Sequence, residues 1–417
     1  MNSIKTWLAG IAGLLAIASS LLAQNVQVSP KAKEIHDSAI VIDTHADTPQ
    51  RFLDENFDIG SVTPTTEGNI DLQKAREGNL GAEFFSIWVA PDIYKGHFAK
   101  RTLDLIDSVY EQAARHPDQM MMAFSAEDIV EARSGQHKKL AALMGIEGGH
   151  SIEGDIRLLR DYYRLGVRYM TLTWSNTNEI GDSSGDLDKK DVKHHKGLTP
   201  FGKQVVLEMN RLGMMVDISH VADKTFWDTL AVTKAPVIAS HSSARALSHA
   251  PRNMTDEMLR AVAKNGGVVD VNFYSGFVDE KFRLAEEAQK PAQDAAVAAA
   301  LRARREKGLP VDYMDEEKIQ REWMAKIPRP PLSALIDQID HVAKVAGIDH
   351  VGLGSDFDGV SGALPAEMDS VADLPKITQG LLDRGYTQEQ IEKILGGNVL
   401  RVFREVERVS RQMRGQP

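Results

Sequence analysis

The chain contains no cysteine. That absence excludes a disulfide framework, attachment of a lipid at a lipoprotein cysteine, and a thiolate nucleophile. Positive charge is also in short supply, since 49 Lys and Arg face 59 Asp and Glu for a net charge of −10. With no basic stripe interleaved with aromatics, that balance argues against nucleic acid or an anionic membrane as the main partner. No Gly-x-Gly-x-x-Gly follows the first strand-like run, so a dinucleotide fold lacks its phosphate loop. Neither a short-period repeat nor a low-complexity linker divides the chain, and residues 24–417 read as one domain.

The first 23 residues read as a separate object. Lys5 supplies a positive start, residues 7–22 are apolar, and polar sequence follows Ala23. This is the pattern of a secretory signal peptide over 1–23, or of a membrane anchor if it is not cleaved. Either way the protein is expected to be exported, to the periplasm or the cell exterior. The polar C-terminal residues 411–417 do not read as a lipid-anchor tail.

What is present is alternation. Strand-like runs fall at 40–47, 80–90, 140–148, 167–173, 214–220, 236–241, 267–273 and 350–356. Most are continuous apolar stretches, as expected for strands buried on both faces of a parallel sheet. Helix-period segments lie between them at 99–116, 156–165, 200–212, 222–232, 255–264 and 332–346. Eight such units predict an α/β fold of the (β/α)8 TIM type. Thr199-Pro200 and Gly213 mark the two ends of one helix, and Thr255 with Asp256 and Glu257 starts another. The charged segment 279–331 interrupts the alternation after strand seven, with 292–305 strongly helix-prone. It reads as a helical insertion on the catalytic face, serving as a lid or oligomer contact, or as a solvated surface helix pair. One or two closing helices are expected between 387 and 412.

Several runs stop at a His or a carboxylate. They end at Asp-Thr-His45-Ala-Asp47, Gly-Ile-Glu147-Gly-Gly, Asp-Ile-Ser-His220, Ile-Ala-Ser-His241 and Leu-Gly-Ser-Asp356. In a parallel barrel all such ends open on one face. His45 and Asp47 are two apart in a strand and share a side. Glu147 lies in an apolar strand, where a bare charge is costly, so it pairs with a buried Arg or bridges two cations. His220 and His241 suit a second ion. Imidazole and carboxylate donors fit Zn²⁺, with Co²⁺, Mn²⁺ or Ni²⁺ as substitutes, giving two metal ions per chain. Water shared by two such ions loses a proton near pH 7, and Asp356 is placed to carry that proton to a leaving amine. Asp358 reads as a turn aspartate, His150 as a residue behind the ligands, and His194 and His195 as surface.

These residues, in this order, resemble the membrane (renal) dipeptidase family of binuclear zinc peptidases. The likeness lies in Ile42-Asp-Thr-His-Ala-Asp47, Gly145-Ile-Glu-Gly-Gly-His-Ser-Ile152, Arg168-Tyr-Met-Thr-Leu-Thr173, Asp217-Ile-Ser-His-Val221, Ser240-His-Ser-Ser243, Arg252-Asn253 and Gly354-Ser-Asp-Phe-Asp-Gly359. The resemblance implies a (β/α)8 barrel, hydrolysis of dipeptides with tolerance of a C-terminal D-residue, and a homodimer. It implies that His45 and Asp47 hold one zinc, that His220 and His241 hold the other, and that Glu147 bridges them. Asp356 takes the place of the proton shuttle and Arg252 that of the arginine gripping the substrate carboxylate; Tyr274 is expected to line the pocket. One departure stands out, because Trp174 occupies the position where the family commonly has the oxyanion-stabilising His. Trp174 or Asn176 substitutes for it, or the substrate is another small amide, N-acyl amino acid or lactone. A catalytically impaired binding homologue is the further alternative.

Overall fold

The computed structural model describes residues 26–135, 138–309, 311 and 313–416. The expected leader, 1–23, lies outside the described residues. Among the described residues no helix is long and apolar enough to cross a membrane.

Nine strands run in one parallel sheet: β1 Val41–Ala46, β2 Leu80–Trp88, β3 Met120–Met122, β4 Leu140–Glu147, β5 Val167–Thr171, β6 Met215–Asp217, β7 Val237–Ala239, β8 Val268–Val271 and β9 Val351–Leu353. Eight of them follow one another in the order β1-β2-β4-β5-β6-β7-β8-β9. The ring comes nearly to closure through a parallel bridge between Ala46 and Phe357. There Asp356 N–H donates to the His45 carbonyl at 2.9 Å and Asp47 N–H to the Phe357 carbonyl at 2.8 Å. The architecture is that of a (β/α)8 barrel.

Two details of the sheet differ from the sequence expectation. β3 has no counterpart among the eight runs. It pairs with β4 at 140–142, on the edge that β5 occupies at 144–147, so it fills the part of that edge β5 does not reach. The later strands are also shorter than their apolar runs. β6 stops at Asp217 because its carboxylate accepts the N–H groups of Ser219 at 3.0 Å and Ser240 at 2.9 Å, which turns the chain out of the ladder. His220 therefore sits in a turn with φ 66°, not on a strand.

Helix boundaries follow local chemistry closely. Pro200–Leu212 opens behind Thr199, whose hydroxyl accepts the Gly202 N–H at 2.9 Å, and closes at Gly213 with φ 93°. Thr255 caps Asp256–Asn265 in the same way through Met258 N–H. The insertion is a pair of helices, Glu280–Glu306 and Tyr313–Met324. The first begins well before the predicted 292, because Asp279 caps it by accepting Phe282 N–H at 2.8 Å and the helix runs on through Pro291.

The barrel interior carries acid as well as apolar side chains. Asp43 and Glu83 are register partners on β1 and β2, and both are buried. Neither Glu83 oxygen has a hydrogen-bond partner among the described residues. Burial, with repulsion from Asp43 and Asp358, pushes its carboxyl well above the usual range, while burial raises Asp43 to about 6. A carboxyl raised by folding contributes its stability fully below its unfolded pKa and loses it as pH rises through the folded value. Glu83→Gln removes that loss. We expect the melting temperature of the metal-free variant to gain on wild type by about 2 °C or more between about pH 6 and pH 9. Parallel melting curves across that range would contradict a neutral Glu83.

Candidate metal centre

Side chains from four other barrel segments gather around Glu147. It ends β4, and its two oxygens face in different directions. Oε2 lies 3.4 Å from His45 Nε2, and His45 Nε2 lies 3.8 Å from Asp47 Oδ2. Oε1 lies 2.8 Å from His220 Nε2 and 3.5 Å from His241 Nε2, and those two nitrogens are 3.0 Å apart. Donor atoms of His45, Asp47 and Asp356 all fall within 4.8 Å of one another, as do those of His45, Glu147 and His241. Among the described residues no Arg pairs with Glu147; its partners are the three imidazoles and Ser86, whose hydroxyl donates to Oε2 at 3.2 Å.

The other ring nitrogen of each His is occupied by a hydroxyl. His45 Nδ1 is 2.7 Å from Tyr169 Oη, His241 Nδ1 is 2.7 Å from Ser240 Oγ, and His220 Nδ1 is 3.4 Å from Ser175 Oγ. Ser240 Oγ donates in turn to Asp217 Oδ2 at 2.6 Å. With Nδ1 engaged outward, every Nε2 is left to face the centre. Tyr169, Ser240 and Asp217 were not singled out from sequence. Their only signal is a polar side chain within or at the end of an apolar strand run.

Asp356 carries φ 63°, a left-handed conformation costing about 1–2 kcal/mol, as does His220. Asn272 Nδ2 donates to Asp356 Oδ2 at 2.9 Å and holds the carboxylate toward the centre. Gly359 packs so closely that a Cβ there would strike the carboxylates of Asp47 and Asp356. Asp358 points away, accepting from Thr48 Oγ1 at 2.6 Å and from Asn69 N–H at 2.7 Å, so it ties its turn to distant segments and does not act as a local turn aspartate.

The electrostatics follow from packing acids and imidazoles against one another in a buried site. Burial opposes a charge on His45, yet Glu147, Asp47 and Asp356 raise its pKa to about 10. Burial lowers His220 and His241, with Arg252 adding to the effect at both and His45 at His241, which favours their neutral forms. Burial and Glu147 push Asp47 well above the usual carboxylate range. Asp47 Oδ1 and His45 Nε2 are buried with no hydrogen-bond partner among the described residues. Two unpartnered donors beside crowded carboxylates are what a divalent cation would satisfy, so the residues fit a metal.

Arg252 lies at the edge of the same cluster. Its Nη1 donates to Ser242 Oγ at 2.8 Å and Nη2 to the His241 carbonyl at 2.7 Å. Among the described residues it forms no ion pair with a carboxylate, and burial lowers its pKa to about 10. Trp174 and Tyr274 line the cavity above the centre. The Tyr274 hydroxyl donates to Glu286 and so ties the insertion to the end of β8. His150 Nε2 binds the Val89 carbonyl at 2.8 Å, outside the donor set. His195 is exposed, whereas His194 is half-buried with Nδ1 3.9 Å from Asp182. Asn176 Oδ1 is buried with no hydrogen-bond partner among the described residues, but Asn176 does not line the cavity above the centre.

Residues 29–417 match the family model described as membrane dipeptidase, peptidase family M19. The chain belongs to the membrane dipeptidase family. Membership makes it a hydrolase of peptide bonds in the metallopeptidase class. It is 33% identical over 401 residues to an uncharacterized dipeptidase of Schizosaccharomyces pombe, covering 91% of this chain and 84% of that one. It is 31% identical to Dipeptidase 3 of Mus musculus, covering 90% of this chain and 66% of the mouse protein. The probable dipeptidase PvdM from Pseudomonas aeruginosa superposes with a TM-score of 0.76 at 26% identity, covering 91% of this chain and 98% of PvdM. A metallopeptidase from Rhodobacter sphaeroides, liganded with a phosphinate mimic of L-Ala-D-Ala, has the same fold, with a TM-score of 0.68 at 22% identity over 88% of this chain and 100% of that one.

The hydroxyl behind His45 yields a test. Tyr169→Phe keeps the ring and removes the group that fixes the imidazole, so metal affinity should fall about 10–100-fold. Competition with a chromophoric chelator measures it, and an unchanged affinity would show that His45 needs no such support.

Proposed function

We propose that this family member is a dipeptidase that works with two divalent cations, zinc by the character of its donors. His45 and Asp47 would hold one ion, His220 and His241 the other, and Glu147 would bridge them. The observation that carries this reading is the pair of Glu147 oxygens, each turned toward a different donor pair. When bound, such a pair polarises a carbonyl and acidifies water.

The chain's own groups do the rest. Asp356, held at Oδ2 by Asn272, accepts a proton from the attacking water and returns it to the departing amine nitrogen. Arg252 offers a guanidinium without a carboxylate partner, which suits the free C-terminal carboxylate of a dipeptide and rejects longer peptides. A D-residue at that position is accommodated alongside L-residues, in line with the L-Ala-D-Ala mimic bound by the Rhodobacter sphaeroides relative. Trp174 has one indole donor, but its ring lies beside Trp88 at 4.9 Å, and its place is the wall of the cavity.

Two measurements test the assignment. Asp356→Asn should lose about 10²–10⁴ in kcat while metal analysis still finds two ions per chain. Amidating the C-terminus of a good dipeptide should cost wild type about 10–100-fold in kcat/KM, and Arg252→Ala should lose about as much on the free acid and nothing further on the amide. Equal turnover of acid and amide by wild type would remove Arg252 from substrate recognition.

A further inference from the structure

A cavity of about 670 Å³ stands over the centre, with Glu147, His220 and Asp356 on its floor and the two insertion helices forming its roof. One wall is aromatic and is built from three distant segments. Trp88 ends β2, where it is the register partner of Glu147. Trp174 lies three residues past β5, and Tyr313 opens the second insertion helix. The Trp88 and Trp174 ring centroids are 4.9 Å apart at 53°, and those of Trp88 and Tyr313 are 4.7 Å apart at 72°. Trp174 stands 6.3 Å from the His220 ring, so the wall adjoins the donor set directly. Above it the roof adds Val297, Leu301 and Met324.

The strand order fixes which end of a substrate meets this wall. In the ring β1-β2-β4-β5-β6-β7-β8-β9, β2 and β7 stand four places apart, on opposite sides. Arg252 belongs to the β7 side, where it is bonded to His241 and Ser242. A small amide whose carboxylate is held there lies across the donor set and presents its acyl end to β2. Charge on the roof does not choose that end, because Glu286, Lys290, Asp294 and Arg302 alternate in sign along the first insertion helix. The aromatic wall does.

We infer that Trp88, Trp174 and Tyr313 form a subsite for a bulky apolar group on the acyl side of the scissile amide. The preferred substrates are then dipeptides whose N-terminal side chain is large and apolar, and the insertion is a specificity element as well as a roof. This rests on the dipeptidase reading for the placement of the carboxylate at Arg252. Edge and face contacts with three rings favour an aromatic or branched aliphatic group over hydrogen or methyl, by roughly 10-fold or more.

The test uses the series Gly-Ala, Ala-Ala, Leu-Ala and Phe-Ala together with N-phenylacetyl-alanine. Turnover is measured on the zinc-loaded full chain, and binding to the metal-free chain is measured by calorimetry. Phe-Ala should exceed Gly-Ala at least ~10-fold in kcat/KM, with Kd graded in the same order. Tyr313→Ala and Trp174→Ala should each lower the Phe-Ala to Gly-Ala ratio several-fold, with circular dichroism confirming that they fold. Turnover of Gly-Ala as fast as Phe-Ala, or ratios unmoved in both variants, overturns the subsite while leaving the dipeptidase reading intact. Cleavage of the phenylacetyl compound but no dipeptide keeps the subsite and overturns the dipeptidase reading. With no turnover at all, graded binding supports the subsite and flat binding overturns it.

Discussion

The site depends on one buried anion. Glu147 is 4% exposed and ends a fully buried strand, so little of its charge is left to solvent. An isolated carboxylate in such a place would take up a proton. Here three imidazole nitrogens converge on it from three other strand ends, and their combined effect holds its pKa well below the usual range against the pull of burial. The same arrangement leaves Asp47 Oδ1 and His45 Nε2, on one side of the carboxylate, without hydrogen-bond partners among the described residues, and a divalent cation would satisfy both.

Holding imidazoles around a single carboxylate demands that each ring be fixed from behind. The barrel does this with hydroxyls and one acid. Asp217 is the organising group on the β6–β7 side, since it accepts from Thr171, Ser219 and Ser240 and so both ends β6 and orients His241 through Ser240. His220 reaches the centre only because its backbone enters the left-handed region, a strain its carbonyl offsets by accepting from the N–H and hydroxyl of Ser184 at 2.8 and 2.9 Å. Short strands followed by turns therefore shape this site, because the turns carry the imidazoles that face Glu147.

The insertion changes what the barrel mouth can admit. Its two helices are fastened to the rim by Tyr274 to Glu286, by Ser361 Oγ to Glu317 at 2.7 Å and by Arg321 to the Thr66 carbonyl at 3.2 Å. Those contacts convert an open barrel end into a chamber with an acidic and imidazole floor and an apolar wall. A chamber of that kind favours small substrates that carry one charged end and one apolar end.

The sequence alone determined the alternation of strand and helix, the eight strand runs of the ring, the caps at Thr199, Gly213 and Thr255, and the residue types at the strand ends. These are local properties, since a period of 2 or 3.6, a cap or a proline acts within a few residues. The strand period also predicted that His45 and Asp47 share a face, but Asp47 lies one residue past β1 with φ −88° and ψ 14°, so the turn into the next helix places its carboxylate near His45. Only the tertiary structure decided which nitrogen of each His points inward, that Tyr169, Ser240 and Asp217 stand behind the rings, and that Tyr313 meets Trp88 across a long stretch of chain. β3 went unread because three methionines carry no period, and the early start of the helix Glu280–Glu306 because Pro291 marks a break by its own chemistry. Periodicity fixes the side a residue faces, but the distance across a barrel is set by how the whole ring closes.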